Sequence, residues 1–344
     1  NLATDVPIYI LALVIGVYQI FHASINLVTY VLYRKNKIRP RFRLLLDGLV
    51  LVFLGGTSLL SSTGNSVFQL FVLGAYFFLY GVSNIRDGFL FEEEIGKNHL
   101  KRRIRISLPI VLAALIPART LAKINKFMQE NADEREDIHL GMVKSGKTAE
   151  LEIFVHTAET SLFSAIGHVD ICYQGRVISY GNYDPSSETL FGMVGDGVLY
   201  FCDRDKYIDL CKRESQKTLF GYGIDLTPEM EKAVQKKLAE LKQLTIPWEP
   251  SADKIMTGDG KEDYTYAYKI RHETDGELYK FIKSKFKSYF VLSTNCVLLA
   301  DTIVGQAGTD ILSPKGFIAP GTYQAYLNRE FEKPNSIVVS KHVY

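Results

Sequence analysis

With 344 residues the chain has room for two domains of ordinary size, and its 40 Lys and Arg are balanced by 38 Asp and Glu, so charge gives no reason to invoke nucleic acid. A mean hydropathy near zero is high for a water-soluble protein and hides a division: the first third is strongly apolar, while the remainder reads as a soluble domain. All four cysteines (Cys172, Cys202, Cys211, Cys296) lie in the soluble part without a CxxC or a neighbouring His pair, so neither a metal site nor a cofactor is expected.

Pro7 to Tyr33 contains no Asp, Glu, Lys or Arg. At about 1.5 Å per residue it is long enough to cross a hydrocarbon core of roughly 30 Å. It is too long, and lacks the basic lead-in, for a cleavable signal peptide. The chain opens on Asn1 rather than Met, which leaves room for residues ahead of it. Leu44 to Leu60 is a second candidate span and Val67 to Ile85 a third, joined by the uncharged turn "SSTGNS". A fourth, "ISLPIVLAALIP" (106–117), is marginal in length. The basic stretches "RKNKIRPRFR" (34–43) and "KNHLKRRIR" (97–105) should both be cytoplasmic. If the fourth segment spans, the soluble domain is outside; if it does not, the domain is cytosolic. The expectation adopted is a multi-pass membrane protein whose soluble domain is extracytoplasmic. His22, the one imidazole in a span, reads as a packed structural residue, and Asp47 as a salt-bridge partner.

"MQENADEREDIH" (128–139) is charged and poor in large apolar residues. It suggests a division into a transmembrane helical region (1–125), a charged linker (126–149) and a catalytic domain (150–344). "ELEIFVHTA" (150–158) alternates as a strand does. "GHVDICY" (167–173) and "RVISYGNY" (176–183) are strands joined by the hairpin signal Gln174-Gly175. Residues 227–244 form an amphipathic helix with Thr227 as N-cap and Pro228 at its first position. "YTYAYKI" (264–270) is a further strand candidate. The basic, aromatic segment 276–290 either lies on anionic headgroups with its aromatics inserted or is a surface helix whose aromatics face the core. Mixed strands and helices in this order indicate an α+β domain.

"STNCVLLADTIVGQAG" (293–308) places Cys296 where a helix begins, with Asn295 or Thr294 as its cap. The partial positive charge and spare N–H groups there lower a thiol's pKa and suit a developing oxyanion. A cysteine followed by Val-Leu-Leu-Ala is also a natural core residue. A general base is then needed, and His168, opening a strand after a glycine, is the best placed.

Two resemblances add to this reading. "IGVYQIFHASIN" (15–26) and "LGAYFFLYGVSN" (73–84) form a weak repeat that resembles the HdeD-like membrane family, with Gly16, Gly55, Gly56, Gly74 and Gly81 suited to close helix packing. "GHVDICYQGRVISYGNY", "LFGMVGDG" (190–197), "YGIDLTPEMEKAV" (222–234) and "YFVLSTNC" (289–296) occur in the order of the Lnb-type lipoprotein N-acyltransferase domain. That family belongs to the circularly permuted papain-like thiol enzymes, which include lecithin–retinol acyltransferase-like proteins. The glycine-rich loop departs from the family's GGYPG-like form. The resemblance implies a permuted papain-like fold with Cys296 as nucleophile and His168 as base. It also implies transfer of an acyl chain from a phospholipid donor, through a thioester, to the N-terminal amine of a lipoprotein.

A third polar group should orient His168, and a hairpin turning at Gln174-Gly175 puts residues 180 to 182 opposite it. Tyr180 is the preferred candidate, Asn182 the other, with Asn295 supporting the nucleophile. Two rivals stand beside the acyltransferase. A cell-wall peptidase or amidase would use the same Cys and His, and a non-enzymatic membrane sensor would keep Cys296 inert. Cys202 and Cys211 are a conceivable disulfide that spacing alone does not establish.

Overall fold

The computed structural model describes residues 2–60, parts of 67–82, 142–143, 149–156, 168–215, 219–256, 262–305, 320–333 and 336–344. The chain divides into two compact units, Asn1–Glu94 with Arg103–Ile106, and Ile95–Arg102 with Ser107–Tyr344. The fourth apolar segment lies outside the described residues, as does nearly all of the expected linker.

In the first unit, α1 (Leu2–Lys35) and α2 (Phe42–Leu60) pack as a hairpin. Both are long and apolar enough to cross a membrane. Of their apolar windows, 33% and 22% is buried among the described residues. Val14, Val17, Phe53 and Leu60 point their apolar surface outward. Glycine sets the approach of the two helices: a Cβ at Gly55 would sit 2.9 Å from Ile20 and 3.0 Å from the Gly16 carbonyl oxygen. Asp47 pairs with Arg43 one turn away at 3.6 Å.

The second unit is α+β. Its strands are β1 (Met142–Val143), β2 (Leu151–His156), β3 (His168–Tyr173), β4 (Arg176–Gly181), β5 (Val194–Asp196), β6 (Val198–Asp203) and β7 (Leu219–Ile224). They continue with β8 (Thr245–Pro247), β9 (Lys254–Met256), β10 (Glu262–Tyr264), β11 (Glu277–Phe281), β12 (Ser288–Phe290) and β13 (Val338–Val343). Its helices are α3 (Arg204–Ser215), α4 (Pro228–Lys242), α5 (Tyr266–Glu273), α6 (Cys296–Val304) and α7 (Pro320–Glu332). Nine strands form one antiparallel sheet in the order β1-β13-β7-β2-β3-β4-β6-β11-β8, and β5 pairs with β12 beside it.

Alternation along the strands builds two cores. Ile153, Val155, Val169, Ile171, Ile178 and Tyr180 face one side with residues of α4, α6 and α7. Phe154, Cys172, Val177 and Tyr200 face the other side with residues of α3 and α5. The β3–β4 hairpin turns at Gln174 (φ 50°) and Gly175 (φ 74°), as the sequence indicates, and pairs Tyr173 with Arg176. Thr227 caps α4 by accepting from the Met230 N–H.

Two expectations are corrected. The strand proposed over 264–270 is mostly helix, because Thr265 caps α5 by accepting from the Tyr268 N–H at 3.3 Å, and Ala267, Lys269 and Ile270 recur on its buried side. Segment 276–290 is neither a helix nor a row of inserted aromatics. It runs as β11, a 3-10 turn and β12, and Phe281 of β11, Phe286 of the turn and Phe290 of β12 are buried in the domain.

A cysteine, two histidines and a shared aspartate

His168 is the first residue of β3, and its register partner on β2 is His156. Two residues along β3, on the same face, stands Asp170. Nε2 of His168 lies 2.8 Å from Oδ1 of Asp170, an ion-pair contact, and within hydrogen-bond distance of Ser179 Oγ (2.9 Å) and Tyr183 Oη (3.1 Å). Oδ2 of Asp170 meets Nε2 of His156 at 2.7 Å and accepts from the Tyr207 hydroxyl of α3. Ser179 Oγ and Tyr183 Oη are themselves 2.8 Å apart. Gly181 permits this, since a Cβ there would press on the Tyr183 ring at 2.7 Å.

Cys296 opens α6, which packs on β3 and β4. Asn295 caps that helix: its Oδ1 accepts from the Leu298 N–H at 3.1 Å and its Nδ2 donates to the Val291 carbonyl at 3.0 Å. Thr294 is tied by its hydroxyl to the Ser288 carbonyl at 2.8 Å. These bonds fix the approach to the helix, and hence the sulfur. The Cys296 sulfur lies close enough to the His168 ring to act on it electrostatically. Cys296 is 3% exposed and the His168 side chain 26%, so the open side of the pair is the imidazole's.

The electrostatics favour a charged His168–Asp170 pair. Burial pulls the His168 pKa down, but the Asp170 carboxylate and the Cys296 sulfur push it up and prevail, leaving it well above the ordinary imidazole value. Burial pushes Asp170 up, yet the His168 charge and the bonds from both histidines hold it well below the usual carboxylate range. Burial and the Asp170 charge keep the Tyr183 phenol protonated. Cys172 and Cys202 are held as thiols. Burial, reinforced by Glu152, pushes the Cys172 thiol up to about 12, and burial raises Cys202 further. All four thiols are free, so Cys202 and Cys211 form no disulfide.

Among the sequence candidates, the fold therefore brings Cys296 and His168 together, with Asn295 as the cap beneath the sulfur. Tyr180 does not join them. Its hydroxyl donates to the Phe286 carbonyl at 2.9 Å, and its ring is buried against Phe281, Phe286 and Tyr289. The reason is parity: Tyr180 points to the α6 side of the sheet, whereas its neighbour Ser179 shares the face of Asp170 and reaches His168. Asn182 also turns elsewhere. Its Oδ1 accepts from Ser187 Oγ at 3.4 Å, its side chain fills the space beside Gly195, and its buried Nδ2 has no hydrogen-bond partner. Asp170, Ser179, Tyr183 and His156 were the residues missed. The signal for Asp170 is legible in "HVD", since two residues apart on a strand means one face. No group of three or more potential metal ligands occurs among the described residues.

Compared with protein-family models, with curated proteins and with solved structures, the chain matches none.

Proposed function

We propose that the protein is a membrane-anchored thiol acyltransferase, with Cys296 as nucleophile, His168 as acid and base, and Asp170 as the group that orients and charges His168. The observation that carries this reading is a helix-opening thiol near enough to act on an imidazole whose Nε2 lies 2.8 Å from a buried carboxylate. A packing cysteine needs none of these partners, as Cys172 and Cys202 illustrate.

In the first step the Cys296 thiolate attacks the ester carbonyl of a phospholipid. The C–S bond forms, the ester C–O bond breaks, and His168 gives its proton to the departing lysophospholipid oxygen. In the second step an amine attacks the thioester, the C–N bond forms, the C–S bond breaks, and His168 takes the amine proton. The sum is ester plus amine to alcohol plus amide, with the thiolate–imidazolium pair restored. Asn295 uses only the Leu298 N–H of the four spare donors that open α6, so those of Cys296 and Val297 remain for the oxyanion of each step.

A lipid donor is favoured over a cell-wall peptide by the two apolar membrane-length helices, which confine the chain to the bilayer that supplies the ester. The order of the parts, with a His-bearing strand before a Cys-bearing helix packed on the same sheet, is the order of a permuted papain-like fold, and the lipoprotein amine as acceptor rests on the sequence resemblance alone. We place the domain on the extracytoplasmic side of a multi-pass chain, following the basic loops; buried thiols need no reducing compartment to stay free.

The deciding experiment incubates the purified full chain with phospholipid and maps acyl adducts by peptide mass. One acyl chain on the Cys296 peptide, released by hydroxylamine, is expected. An adduct on Cys172, Cys202 or Cys211 overturns the assignment, and turnover of muropeptides without any acyl adduct selects the peptidase.

A further inference from the structure

The loop between β4 and β5 ends in a tight turn at Thr189–Val194, closed by paired backbone bonds between those two residues at 2.8 and 3.2 Å. Its tip carries three consecutive residues with positive φ: Leu190 (50°), Phe191 (57°) and Gly192 (81°). Only the glycine is at ease there; large L-residues rarely adopt this region. The strained backbone turns apolar side chains outward: Phe191 is 94% exposed and Leu190 49%. No charged residue occurs from Leu190 to Gly195. The turn is also anchored to the wall of the site. The Met193 carbonyl accepts from the Val291 N–H at 3.0 Å, Gly195 pairs with Tyr289, and Val291 in turn holds the Asn295 side chain beneath Cys296.

A folded domain gains nothing in water by straining its backbone to expose a phenyl ring. The arrangement makes sense if the tip meets a non-aqueous phase. The same chain carries two helices long and apolar enough to cross a membrane, with Val14, Val17, Phe53 and Leu60 exposed on them. We propose that Leu190 and Phe191 form an insertion tip that enters the headgroup–acyl boundary of the bilayer. The tip would seat the catalytic domain with the Cys296 wall close to lipid. This inference concerns the contact surface and holds whether or not the transfer chemistry is as proposed above.

The chain's single tryptophan makes a direct test possible. Trp248→Phe removes the native emitter, and Phe191→Trp then places the sole reporter at the tip. The full chain is reconstituted into bilayers of phosphatidylcholine with or without brominated acyl chains. Insertion is expected to give blue-shifted emission, at least twofold quenched by the brominated lipid and insensitive to aqueous iodide. Emission quenched by iodide but not by bromine overturns the proposal. So does blue-shifted emission that neither agent quenches, which would place the tip against protein, a second copy included. Circular dichroism of the double variant matching the parent keeps either outcome interpretable.

Discussion

Oδ1 of Asp170 stands 2.8 Å from Nε2 of His168, while Oδ2 of the same carboxylate stands 2.7 Å from Nε2 of His156. One buried charge thus serves two imidazoles, and the Tyr207 hydroxyl completes its shell. Asp170→Asn should keep the shape and remove the charge. We expect a fall of about 10²-fold or more in kcat/KM for acyl transfer, with Asp170→Ala costing about 3–5 kcal/mol of stability by leaving buried partners uncompensated. Rates and chemical denaturation of the two variants check this.

The same pair sets a pH dependence. His168 holds its proton more tightly folded than unfolded. Its contribution to stability is complete below about pH 6.5 and is lost as pH rises through the raised folded value. Asp170 behaves oppositely, contributing above about pH 3.9 and losing that contribution as pH falls through its lowered value. The proposed mechanism uses the protonated imidazole, so the alkaline limb of kcat/KM should lie above the ordinary imidazole range. Because Asp170 is the foremost group raising His168, Asp170→Asn should move that limb to lower pH. An unmoved limb would detach Asp170 from the pair.

The framework of the soluble domain was legible wherever one period or one cap decides: the β3–β4 turn, the Thr227 cap and the start of α6 all follow from adjacent residues. The site was legible only in its two ends. A hairpin tells which residues lie across from His168 to within one position, and one position changes the face of the sheet. That is why Tyr180 was preferred and Ser179 found. His156 and Tyr207 reach Asp170 through pairings set by strand order and by α3, which no local pattern encodes.

Parity supplies its own test. Tyr180→Phe removes the hydroxyl that donates to the Phe286 carbonyl, so it should cost about 1 kcal/mol of stability and leave kcat within a few-fold. Ser179→Ala removes a partner of the catalytic ring, so it should lower kcat with little change in stability. The reverse order would restore Tyr180 to the site.

Thiol reactivity separates an enzyme from an inert membrane protein. At neutral pH, iodoacetamide should alkylate Cys296 selectively, and His168→Ala should slow that labelling by roughly 10²–10⁴-fold, the span associated with a positioned base. Cys172 and Cys202, held protonated by burial, should label only on unfolding. Cys296→Ser and His168→Ala should each reduce transfer to background while the fold is kept, as followed by circular dichroism.

The helical hairpin offers a contrast between neighbouring glycines. At Gly55 a Cβ meets Ile20 at 2.9 Å and the Gly16 carbonyl oxygen at 3.0 Å, and backbone cannot move aside cheaply. At Gly56 a Cβ meets nothing within 4 Å among the described residues. Gly55→Ala should therefore force α1 and α2 apart, at about 1–3 kcal/mol for overpacking. Gly56→Ala should be neutral or slightly stabilising, since alanine is the better helix former by about 1 kcal/mol. Thermal denaturation of the two variants in the same detergent measures the difference directly. Equal melting temperatures would mean that the close approach at Gly55 does not hold the hairpin together.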